Sequence, residues 1–129
     1  LPPAHIKRVY FEFIVRVRKA EIRMPVSLLI RALQAEDCRA AMPRYPLLHQ
    51  QPFFTEGAFL RIMRPEKDMA PPHYPLQALP RIEASSDTLL RLPSFPNATR
   101  ELLDQYVLAF EKVLFHGDRI AAECPVTWG

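Results

Sequence analysis

Glycine is nearly missing from this sequence: Gly57, Gly117 and Gly129 are the three among 129 residues. Phosphate-cradling loops need glycine where backbone approaches a ligand, so neither a Walker loop nor a GxGxxG turn can be written here. Cysteine is scarcer still. Cys38 and Cys124 are too few for a disulfide framework, and neither sits in a CxxC pair. No apolar run approaches the ~20 residues that span a bilayer. The N-terminal residues carry no charged-then-apolar signal pattern, and a cytoplasmic location is the expectation. No G-x-S-x-G elbow occurs. His5, His49, His73 and His116 stand at no i, i+4 spacing to one another or to a cysteine, so no metal site is expected.

Proline, by contrast, is abundant. Fourteen prolines exclude a chain built mainly of long uninterrupted helices. Eight of them punctuate residues 43–80, which read as an irregular arm within a single domain covering 1–129. Charge is uneven as well. Residues 1–44 carry nine Lys/Arg against four Asp/Glu, and the remainder carries eight against ten. Such asymmetry permits an anionic partner without requiring one.

Residues 9–18, VYFEFIVRVR, alternate strictly, with Val9, Phe11, Phe13, Val15 and Val17 on one face. That period of two predicts a strand with one buried side. In residues 25–37, Val26, Leu29, Ile30 and Leu33 follow helical spacing behind Pro25. CRAAMPRY predicts a second strand, EGAFLRIM a short strand or helical turn, residues 81–89 a short helix and LLRLP a last strand. A long helix is predicted over 98–122, capped by Asn97 and striped by Leu103, Tyr106, Val107, Phe110, Val113 and Leu114. Gly117 is a place for it to bend. These elements predict an α+β fold: a small, mostly antiparallel sheet of three or four strands packed with two main helices. Val9, Phe11, Phe13, Val15, Leu29, Leu33, Tyr106, Phe110 and Leu114 are its expected core.

Residues 44–54, RYPLLHQQPFF, stand apart in chemistry. Prolines stiffen the loop, aromatic rings supply flat walls, and Arg44, Tyr45, His49 and Gln50 supply directional hydrogen bonds, a mixture suited to a ligand-binding surface. The same composition also suits an ordinary proline-bent loop tucking Tyr45 and Phe53 inward.

This stretch resembles the YP-x-x-H-x-x-P-aromatic segment in the small C-terminal domain of the DegT/DnrJ/StrS sugar and aminocyclitol aminotransferases, which depend on pyridoxal phosphate (PLP). VYFEFIVRV resembles that domain's first strand and SLLIRALQAED its following helix. LPRIEASSDTLLRLPSFPNATRELLDQYVLAFEKVL resembles its closing segment and last helix. The resemblance spans residues 9–122, and Asp37 stands where the family has a helix-ending glycine. It implies a domain that closes over a substrate mouth, with Tyr45 and His49 nearest the substrate and Arg44, Gln50 and Phe53 in support. In the family the Schiff-base lysine and the groups that hold PLP lie in a large N-terminal domain. Lys7, Lys19, Lys67 and Lys112 have no such context, so this chain alone is expected to hold no cofactor and to be inactive. Its expected partners are a large cofactor domain or a second copy docked on the 43–80 stretch, where Tyr45, Phe53, Phe54, Phe59, Ile62, Met63 and Met69 exceed what a surface loop needs.

Two other readings stay open. One is a nucleic-acid-binding module built on Arg16, Arg18 and Lys19 beside an aromatic strand, although no helix-turn-helix or RNP spacing is present. The other is a stand-alone regulatory or dimerisation protein of the same small fold.

Overall fold

The computed structural model describes residues 5, 10–63 and 78–124. The fold is α+β. The chain divides into two compact units: residues 1–42 together with 88–129, and the intervening residues 43–87.

The first unit is built on an antiparallel pair, β1 (Phe13–Arg16) and β2 (Leu89–Leu92), in the register Phe13↔Leu92 to Arg16↔Leu89. Val17 N–H donates to the Thr88 carbonyl at 2.8 Å and extends the pairing by one step. On its other edge β2 exchanges two backbone hydrogen bonds with Ala41, an isolated bridge to Arg91. The segment predicted as a second strand thus reaches the sheet at one residue. Pro43 follows two residues later, and proline offers no donor to carry a ladder on. The described residues hold two strands where the periodicity predicts three or four.

Helix α1 (Val26–Ala35) buries Val26, Leu29, Ile30 and Leu33, the face its spacing predicts, and Leu28 on the opposite side as well. It packs against β2 and against the long helix of the C-terminal part, Arg100–Phe115. Leu29, Leu33 and Leu90 lose all contact with solvent, each burial stabilising by about 1.5–3 kcal/mol. The end of α1 explains the aspartate found in place of glycine. Asp37 takes a left-handed φ of 60°; its N–H donates to the Gln34 carbonyl, and the Cys38 N–H donates to that of Leu33. This paired closure ordinarily selects glycine. Asp tolerates it because its short polar side chain resists the conformation less than most. Cys38 and Leu33, both buried, supply the apolar contact that accompanies it.

The second unit contains a 3-10 turn (Leu48–Gln50) and the short helices α2 (Pro52–Thr55), α3 (Ala58–Met63) and α4 (Pro80–Ser86). EGAFLRIM is thereby helical, and the helix predicted at 81–89 ends at Ser86 so that Thr88 and Leu89 can enter the sheet. Gly57, with φ at 70°, makes the turn from α2 to α3.

The predicted 98–122 helix is two helices, α5 (Arg100–Phe115) and α6 (Gly117–Glu123), broken at His116. Gly117 is buried at the junction, where a Cβ would stand 3.1 Å from the Met24 methyl. The cap is Thr99 rather than Asn97: its hydroxyl accepts the Leu102 N–H at 3.3 Å. Tyr106, Ala109 and Val113 form the buried edge of α5, and the Tyr106 hydroxyl accepts the Arg39 N–H at 3.0 Å.

Part of the expected core faces water. Leu29, Leu33 and Tyr106 are buried, and Val15 and Phe110 are half-buried. Phe11, Phe13 and Leu114 remain 77 %, 42 % and 44 % exposed. A two-stranded ribbon is too narrow for α5 to cover along its whole length, so Phe13 and Leu114 become walls of an open groove. Val9 lies outside the described residues.

Candidate functional site

The loop 44–54 is shaped by local hydrogen bonds. Pro46 and Pro52 set the backbone before each turn. Gln50 N–H donates to the Leu47 carbonyl, Gln51 N–H to that of Leu48, and the Gln51 amide reaches the Pro46 carbonyl at 3.3 Å. Tyr45 stands 69 % exposed, with Arg44 and Gln50 also exposed. Phe53 is partly exposed and packs edge-on against Phe54 at 5.1 Å between ring centres, and Phe59 closes an aromatic trio at 6.1 and 5.7 Å. These side chains supply a flat apolar wall with a phenol, an amide and a guanidinium on the same short segment.

His49 is placed differently. It is buried, and its Nε2 lies 3.0 Å from Oε1 of Glu83, a carboxylate that also accepts the Leu79 N–H at the start of α4. One carboxylate thus serves a helix terminus and an imidazole, tying the 3-10 turn to α4 across 34 residues. His49 holds the loop in shape, while Tyr45 and Gln50 meet solvent. Sequence spacing carries no trace of this pair, because nothing local links residue 49 to residue 83.

Two surface depressions lie in the first unit. The larger, about 570 Å³, runs between β1 and α5 and is lined by Tyr10, Phe13, Phe95, Leu103, Val107 and Leu114, with Glu111 at its edge. Phe95, at a left-handed φ of 52°, packs edge-on against Tyr106 at 4.9 Å. The other, about 540 Å³, is lined by Arg16, Arg18, Lys19, Val17, Ala20 and Thr88. Arg18 pairs with Glu21 there at 2.9 Å.

The Cys38 thiol is placed against reactivity. Burial pushes the Cys38 thiol up from its ordinary value, and the charges of Glu36 and Asp37 add to the effect, so the thiolate is disfavoured. No group of three His, Cys, Asp or Glu among the described residues is arranged to hold a metal. Lys112 is committed to Glu36 at 2.7 Å. Lys19 lines the smaller depression beside Arg16, Arg18 and Thr88. Lys7 and Lys67 lie outside the described residues. No helix of the described residues is long and apolar enough to cross a membrane.

Comparison with family models, curated proteins and solved structures finds no match to this chain.

Proposed function

We propose that the chain is a relative of the C-terminal small domain of a PLP-dependent sugar or aminocyclitol aminotransferase, lining a substrate mouth without catalysing the reaction itself. The supporting observation is the loop 44–54, in which a part-buried His49–Glu83 pair anchors the turn while Tyr45 and Gln50 are left for solvent. A phenol and a carboxamide donate to and accept from sugar hydroxyls, and the exposed Phe53 ring suits the apolar face of a pyranose or cyclitol. Arg44 is the group for a phosphate of a nucleotide-linked sugar. In this reading the small sheet with α1 and α5 is the small-domain fold, and PLP, held by a large domain elsewhere, supplies the transamination chemistry. The sheet itself would be completed to three or four strands by segments that pair beyond Ala41.

The test uses the chain as purified, with UDP-glucose and myo-inositol as probes. Amide and aromatic NMR signals of Tyr45, Gln50 and Phe53 should shift on addition, and Tyr45→Phe should weaken the response. Borohydride reduction in the presence of PLP should trap no single lysine. Stoichiometric trapping at one lysine, or shifts that leave residues 44–54 untouched, would contradict the reading.

A second reading has one observation in its favour, the cleft carrying Arg16, Arg18 and Lys19. As a nucleic-acid-binding module the chain would bind single-stranded RNA with an affinity falling steeply between two salt concentrations. Substitution of Arg16 and Arg18 would flatten that slope.

A further inference from the structure

Strand β1 has an edge that its own sheet leaves open. Val17 N–H donates to the Thr88 carbonyl, directly opposite it in the register, so Val17, Val15 and Phe13 are the residues whose backbone groups turn toward β2. Those of Ile14 and Arg16 turn the other way. The same alternation holds on β2, where Arg91, opposite Ile14, turns outward and bonds with Ala41. β2 is thus paired on both sides, whereas no described residue bonds to the outward N–H and C=O of Ile14 and Arg16. Open edges are commonly blunted by proline or lysine. Neither stands between Tyr10 and Arg18, and the charges flanking Ile14 are one of each sign.

The residues around Ile14 are symmetric in character: Phe11, Glu12 and Phe13 on one side, Val15, Arg16 and Val17 on the other. From this open edge and this symmetry we infer that β1 pairs antiparallel with β1 of a second copy about a two-fold axis at Ile14, joining two ribbons into one four-stranded sheet. Ile14, 45 % exposed, then bonds through its backbone to its own counterpart. Phe13 of each copy falls opposite Val15 of the other, and Phe11 opposite Val17, on one face. On the other face Glu12 falls opposite Arg16, twice over. Arg16 is exposed and makes no ion pair among the described residues. Glu12 holds Arg91 at 3.1 Å, and a carboxylate has acceptor sites for a second guanidinium.

Other registers fare worse. Centring on Glu12 or Arg16 sets like charges opposite, and centring on Phe13 or Val15 sets a charge against Ile14. A strand of an unrelated protein would gain the same backbone bonds. The match of charge to charge and apolar to apolar is particular to a second copy, because a two-fold contact uses one patch twice. Residues 11 and 12 bend at the start of β1, and pairing draws them into line. The seam buries on the order of 400 Å² per copy, about half of a standard interface, so the dimer forms at high concentration.

The experiment is sedimentation equilibrium of the 129-residue chain over a wide concentration range, with far-UV circular dichroism as the control for folding. The chain should be a dimer at the upper end. Ile14→Pro should leave it monomeric at every concentration and still folded, because proline removes only an N–H that faces away from β2. Glu12→Arg and Arg16→Glu should each weaken association about tenfold, since the two-fold repeats every like-charge contact. An equimolar mixture of those two chains should associate again, because Arg meets Glu at both ends of the mixed seam. Should Ile14→Pro disturb folding, the mixing experiment decides alone. A monomer throughout overturns the inference and leaves the edge to a strand of another protein. So does a dimer that survives Ile14→Pro, a mixture that associates no better than its components, or a dimer lost on Phe53→Ser instead.

Discussion

The two units solve the problem of cohesion in different ways. Residues 1–42 and 88–129 hold every buried hydrophobic side chain of the described residues, from Ile22 to Val113. Among the described residues of the 43–87 unit, only His49 and Gly57 are buried. That unit relies on the Phe53–Phe54–Phe59 trio, two proline-started helices and one imidazole–carboxylate pair. Burial of apolar area scales with size and tolerates sequence change, while a polar anchor holds geometry with little free energy behind it. The contrast is the one the proposed function calls for: a core that carries stability, and a loop proposed to carry contact chemistry.

The largest effects should therefore fall in the first unit. Leu29→Ala removes a side chain with no exposure from the centre of the core and should lower unfolding free energy by about 2–5 kcal/mol in urea titration. Phe54→Ala in the second unit should cost about 1 kcal/mol or less, since its ring is only half-buried. Equal losses would dissolve the comparison. Tyr106→Phe comes next. It leaves the Arg39 N–H without its acceptor while keeping the ring that packs on Phe95, so it should cost about 1–3 kcal/mol.

Asp37→Gly should act in the opposite direction. Relief of the left-handed aspartate at the end of α1 should raise stability by about 1 kcal/mol, and Asp37→Val should lower it by more. The smallest effect concerns acid. The Glu101 carboxyl lies below its ordinary value, chiefly through its own backbone N–H and secondarily through the Thr99 hydroxyl. A lowered value means that its contribution is present above the ordinary glutamate pKa and lost as pH falls through the folded one. The Leu102 amide at the start of α5 should therefore lose protection in acid, and Glu101→Gln should remove that pH dependence.

What could be read from sequence follows the range of the interactions. Helix α1 was legible because Val26, Leu29, Ile30 and Leu33 repeat at helical spacing, although the burial of Leu28 on the other side was not, and β1 because it alternates. The break at Gly117 was legible too. Thr99 displaced Asn97 as the cap because two residues decide where a helix starts, and both are good caps. Phe13 and Leu114 were misjudged because alternation shows which residues share a face, not whether anything covers that face. In the candidate site, exposed Tyr45 and Gln50 fit the loop's composition. His49 did not, since its partner lies in another helix far along the chain.

Native-state hydrogen exchange by NMR tests the division of labour most directly. The amides of Leu33 and Val113 should exchange only through global unfolding. Those of Gln50, Gln51, Phe54 and Thr55, whose hydrogen bonds lie in the second unit, should exchange through an opening several kcal/mol cheaper and insensitive to low denaturant. Glu83→Gln should lower that second barrier further and leave the first unchanged. A single opening free energy shared by both sets of amides would contradict the account.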